Sequence, residues 1–84
     1  MYKLSITTRA EKDLRKLDRQ VKNRIVTVIA GLADEPRPIG CRRVLSEGGI
    51  WRLRSGDWRI GYRIDDGLKE VTVIRIAHRR EFYE

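Results

Sequence analysis

Residues 51–64, WRLRSGDWRIGYRI, set four arginines, Arg52, Arg54, Arg59 and Arg63, among large apolar side chains. In an extended chain successive side chains alternate between two faces. Trp51 and Leu53 then share one face and Arg52 and Arg54 the other, while Trp58, Ile60, Tyr62 and Ile64 oppose Arg59, Gly61 and Arg63. Paired across a turn at SGD, residues 55–57, the two strands present a four-arginine patch opposite an apolar face. A guanidinium stays charged and offers a planar fork of donors that matches phosphate. The plainer reading is an ordinary solvated sheet face. Against it, like charges placed opposite each other cost roughly 0.2–1 kcal/mol per pair, and a face kept only for solubility would mix in acids. The patch is therefore read as an anion site.

The same alternation extends the patch toward the C-terminus. In EVTVIRIAHR, Arg75, Ala77 and Arg79 share one face and Ile74, Ile76 and His78 the other. His78 is the one side chain in the sequence whose unperturbed pKa lies near neutrality, so it is the natural candidate to move a proton. This parity separates it from Arg79 unless the chain leaves the sheet there. Asp57 and Glu47 are further conceivable proton acceptors, the former in the turn and the latter in a loop before Gly48-Gly49. Gly61 has two readings: it admits a ligand backbone, or it relieves crowding.

Bulk composition agrees with a polyanion partner. The chain has 84 residues, 19 Lys+Arg against 12 Asp+Glu, and a formal charge of +7. Such a field favours a polyanion, an acidic protein, or both. One cysteine, Cys41, forms no intrachain disulfide, and one Cys with one His assembles no metal set, so neither a metal nor a cofactor is expected. The most apolar run, IVTVIAGLA at 25–33, is far shorter than the roughly 20 residues of a membrane span. Nothing at MYKLSITTRAEK resembles a secretory signal, and a cytoplasmic location is expected.

The elements that position these residues follow from periodicity. YKLSIT, 2–7, alternates as a short first strand. Thr8 and Glu11 have the spacing of a capping box opening a helix of about three turns, with Ala10, Leu14 and Leu17 on one face. Asp18 caps a second helix, along which Val21, Ile25, Val28, Ile29 and Leu32 recur at helical spacing, and DEPRP at 34–38 ends it. From Cys41 the period changes to two: a short edge strand in CRRVLS, then the basic hairpin, a turn at DDG and a last strand. The expectation is one α+β domain over 1–84, ordered β-α-α-β-β-β, with an N-terminal helical hairpin on one face of a small antiparallel sheet.

In this order of elements, in the WRLRSGDWRIGYRI hairpin and in the C-terminal IAHRREFY, the chain resembles the RelE/ParE superfamily of type II toxins, in its RelE-like branch. The resemblance implies a ribosome-dependent, metal-independent endoribonuclease that cuts mRNA in the decoding site. There the RNA's own 2′-hydroxyl attacks the adjacent phosphate. By position, Arg59 resembles the phosphate-stabilising arginine, Arg79 a contact to the scissile phosphate, His78 an acid or base, and Tyr83 a group that stacks on or orients the nucleotide. Arg52 and Arg54 match basic positions that in some members include a proton-accepting lysine. Arginine is a poor base, so the acceptor is left open. Arg63 and Arg75 join the RNA-binding face. The resemblance also implies a cognate antitoxin, the ribosomal A site with its mRNA, and operator DNA reached through the antitoxin, with no membrane partner. Two other functions stay open: a ParE-like inhibitor of DNA gyrase without nuclease activity, and a catalytically silent member that binds only RNA or antitoxin.

Overall fold

The computed structural model describes residues 1–46 and 48–82. Among the described residues, β1 (Lys3–Ile6), α1 (Thr8–Arg15), α2 (Arg19–Gly31), β2 (Arg42–Arg43), β3 (Trp51–Ser55), β4 (Trp58–Asp65) and β5 (Glu70–His78) follow in the expected α+β order. The strands form one sheet in the order β1-β5-β4-β3-β2. Four of them run antiparallel to their neighbours as expected, whereas β1 adds in parallel to β5 with Lys3 opposite Glu70. The helical hairpin forces this. Two helices return the chain to the far side of the sheet, so β2, β3, β4 and β5 are laid down in turn toward β1, and β5 arrives beside it running the same way.

Local chemistry explains the helix ends. α1 is capped by Thr7 rather than Thr8: the Thr7 hydroxyl accepts the Ala10 amide at 3.2 Å and also donates to the Ile74 carbonyl at 2.9 Å. A cap that also ties the helix to β5 prevails over the capping box at Thr8. Glu11 instead pairs with Arg15 one turn on, at 2.9 Å. The helix has 8 residues, shorter than the three turns expected. Asp18 caps α2 as expected, accepting from the Val21 amide at 3.0 Å.

Ala10, Ile25 and Leu32 of the helical layer bury against Leu53, Ile60, Tyr62, Val71, Val73 and Ile76 of the sheet, with Trp51, Trp58 and Ile64 partly buried around them. The apolar face read from the basic hairpin is this core face. Its deepest polar group is the Tyr62 hydroxyl, which donates to the Pro36 carbonyl at 2.8 Å; burial pushes the Tyr62 phenol well above its ordinary range. Outside the core, Asp66 accepts from Tyr2 at 2.7 Å and from Arg37 at 2.8 and 3.2 Å, so residues 2, 37 and 66 are clasped together. The Arg37 hydrogen bond first, then that from Tyr2, holds the Asp66 carboxyl below its ordinary range.

One irregularity reorganises the other face. The β4–β5 register shifts between Gly61 and Tyr62: Gly61 pairs with Arg75, Tyr62 with Val73, and Ile74 is left over. Ile74 therefore leaves the side of Ile76 that simple alternation assigns it and joins Ala77 against Val44, Ile50 and Phe82, a small cluster on the face opposite the helices.

Candidate functional site

The β3–β4 turn needs only two residues, Gly56 and Asp57. Gly56 has φ +59, the geometry of a turn with glycine first, in which any side chain is strained. The tight turn brings Arg54 and Arg59 directly opposite each other on the face away from the helices. Arg54 is exposed, and the Nη1 of half-buried Arg59 donates to the carbonyls of Gly56 at 3.1 Å and Trp58 at 3.2 Å. The turn's own backbone thus aims Arg59.

Beyond β5 the chain leaves the sheet and its first residue binds the same turn. The Arg79 amide donates to the Asp57 carbonyl at 2.7 Å, and Arg79 Nε lies 3.7 Å from Asp57 Oδ1. Arg54, Arg59, Arg79 and Asp57 therefore gather at one end of the sheet. Both partners of the Arg79–Asp57 pair are exposed, so it orients Arg79 and adds little stability. Arg59 is paired with Ala77 on β5.

His78 stands beside this group and on the other side of the strand. Its register partner is Trp58, and the two rings meet edge to face with centroids 5.5 Å apart. Nδ1 accepts the Arg80 amide at 3.3 Å, so the proton of a neutral imidazole sits on Nε2. The separation of His78 from Arg79 expected from parity holds within the strand, and the exit from the sheet after His78 places Arg79 back toward the turn.

The middle of the face is covered by the protein's own tail. A Cβ built on Gly61 would lie 3.1 Å from Cε2 and Cζ of Phe82 and from Cγ of Arg75. Gly61 thus makes room for the Phe82 ring, the crowding alternative of its two readings. Arg75 lies over that ring, its guanidinium carbon 4.5 Å from the centroid, and its Nη2 donates to the Glu81 carbonyl at 2.9 Å. Arg52, the register partner of Gly61, is only 2% exposed. The four hairpin arginines thus do not form one open patch. Arg52 is buried, and exposed Arg63 lies four residues beyond Arg59, about 13 Å along the strand. Tyr83 and Glu47 lie outside the described residues. The alternation says nothing of Phe82. The signal for it is a glycine inside a strand of large side chains, followed by the aromatic pair Phe82-Tyr83 in the otherwise charged RREFYE.

Among the described residues, no group of three or more His, Cys, Asp or Glu is placed to hold a metal ion, and no helix is long and apolar enough to cross a membrane.

Comparison with known proteins agrees with this architecture. The profile of the family described as "ParE toxin of type II toxin-antitoxin system, parDE" matches residues 4–83. Toxin RelG of Mycobacterium tuberculosis is 36% identical, covering 98% of this chain and 95% of the relative. Toxin RelE of the same organism is 34% identical over 98% of this chain and 86% of the relative. Among solved structures, the RelBE2 toxin–antitoxin complex of M. tuberculosis contains a chain that superposes with a TM-score of 0.84 at 32% identity, covering 93% of this chain and 98% of that one. With fold, hairpin and relatives in agreement, this chain belongs to the RelE/ParE superfamily of type II toxin–antitoxin toxins, on its RelE-like side.

Proposed function

We propose that the protein is a ribosome-dependent mRNA endoribonuclease whose reaction centre is the β3–β4 turn end of the sheet. The observation that carries this reading is the convergence of Arg54, Arg59 and Arg79 around Asp57. The reaction forms a bond from the RNA 2′-oxygen to phosphorus and breaks the bond from phosphorus to the 5′-oxygen, leaving a cyclic phosphate and a free 5′-hydroxyl. Negative charge grows on the phosphorane, and preorganised guanidinium groups stabilise it. Arg59 and Arg79 take that role, with Arg54 and Arg63 on the RNA backbone and Arg75 at the edge of the face. Buried Arg52 adds charge from beneath. Two proton carriers are needed. Asp57, already within the arginine group, takes the 2′-hydroxyl proton, and His78 supplies one to the departing 5′-oxygen. Tyr83 stacks on the nucleotide.

The setting follows from the same reading. The whole chain, 1–84, acts as one domain in the cytoplasm, at the ribosomal A site. It is held in check by a cognate antitoxin, as the toxin–antitoxin complex of the M. tuberculosis relative supports, and the antitoxin carries the pair to operator DNA. A second reading, inhibition of DNA gyrase without RNA cleavage, is favoured by the ParE description of the matching family.

Purified ribosomes translating a reporter message separate the two. The expected result is new 5′ ends within codons, with Arg59→Ala slowing cleavage by about 10²–10³-fold, the scale for losing one preorganised charge stabiliser. An intact message alongside accumulated gyrase-cleaved DNA would sink the nuclease reading. Asp57→Asn and His78→Gln should each slow cleavage by about 10²-fold or more, the scale for losing a general acid or base. Unchanged rates would take both residues out of the proton transfers.

A further inference from the structure

β1 pairs with β5 only as far as Val73, so residues 74–78 of β5 are not paired to it and face α1. Between them lies a cleft of about 710 Å³. Arg9, Lys12 and Lys16 line its α1 side and Arg75 its sheet side, with Trp58 in the wall. The three α1 cations fall at i, i+3 and i+7, so they share one helix face over about 10 Å. The acids lining the cleft are Asp13 and Glu81. Asp13 is committed to the sheet, its Oδ2 accepting the Ile76 amide at 2.9 Å. The catalytic group at the β3–β4 turn uses none of the three α1 cations.

Arg75 and Ala77 belong both to this cleft and to the face that carries the arginine group, so the two surfaces run into each other around the edge of β5. We propose that the cleft holds the RNA strand on one side of the scissile nucleotide: Arg9, Lys12 and Lys16 take successive backbone phosphates, and a base stacks on Trp58. This deepens the nuclease reading and rests on it. Cations along a groove together with an aromatic wall are the parts by which proteins hold single strands without reading sequence. An acidic peptide would use the cations and leave the indole without a role, so the ligand is assigned as RNA.

The test is fluorescence anisotropy with 2′-O-methyl RNAs of three to twelve nucleotides, which lack the attacking hydroxyl and stay intact. Wild-type affinity should rise with length. The variant Arg9→Glu/Lys12→Glu/Lys16→Glu should lose that rise, bind the 12-mer at least tenfold more weakly, and show a salt slope shallower by about 2, as expected for three lost phosphate contacts on a single strand. The variant Lys3→Glu/Arg19→Glu/Lys22→Glu makes the same change in net charge away from the cleft and should keep the rise. Circular dichroism of both variants establishes that they are folded.

Equal losses in the two variants would reduce the effect to net charge and overturn the proposal. So would a deca-glutamate peptide that binds as tightly as the 12-mer and is lost with the same three cations. A cleft variant that binds the 12-mer like wild type, while Arg59→Ala still slows message cleavage, defeats the cleft and leaves the nuclease reading standing. Absence of cleavage by the wild type defeats the nuclease reading itself.

Discussion

Arg52 and Arg59 are the same residue type on the same face of one hairpin, and their surroundings separate them. Arg59 sits by the tight turn with backbone carbonyls aiming it, whereas Arg52 is covered. Alternation in the sequence suffices to name the face of each. It does not name the depth of each: Phe82, 30 positions further along the chain than Arg52, folds back over Gly61, the register partner of Arg52. Arg52→Ala should therefore act mainly on stability, removing buried stem packing at a cost of about 1–3 kcal/mol, while Arg59→Ala acts mainly on rate. Urea unfolding midpoints beside cleavage rates separate the two effects. An Arg52→Ala protein with wild-type stability and no cleavage would place Arg52 in the chemistry.

At the scale of elements, the helices and the hairpin were legible because their periods of 3.6 and 2 are set by burial on one face. Asp18 at the head of α2 and the core positions Ile25, Leu32, Ile60 and Tyr62 all lie where periodicity puts them. What escaped was decided by contacts between elements. Thr7 displaced Thr8 as cap because it also reaches Ile74, and the shift between Gly61 and Tyr62 turned Ile74 to the other face. Gly61 and Phe82 together fix the C-terminal segment, so Gly61→Ala should push the Phe82 ring and the Arg75 stem outward. A loss of about 1 kcal/mol lowers the melting temperature of a domain this size by roughly 4–8 °C. Calorimetry checks the loss, and the ring's proton chemical shifts report the displacement. Unchanged values for both would mean that the tail does not rest on Gly61.

For the molecule as a whole, the +7 charge promises affinity for a polyanion, but it does not say where one would lie. Placement came from the fold, which puts one set of cations at the β3–β4 turn and another along α1. The clasp of Tyr2, Arg37 and Asp66 has its own signature in pH. The Asp66 carboxyl is held below its unfolded value, so its contribution is present above about pH 4 and is lost as pH falls through the folded value. Asp66→Asn should flatten the acid side of the stability profile and leave the neutral region parallel to wild type. Urea titrations from about pH 6 down to 2 measure it, and an unchanged acid slope would remove the clasp from the acid response.

The parallel pairing of β1 with β5 also orders events in time. Lys3 waits for Glu70 and Ile6 for Val73, so the strand synthesised first has no partner until the last strand is made. Joining such distant segments is among the slowest steps available to a small chain. Arg79, which completes the arginine group, emerges after both. The sheet therefore stays unfinished until β5 has been made, and the arginine group at the β3–β4 turn gathers only after that.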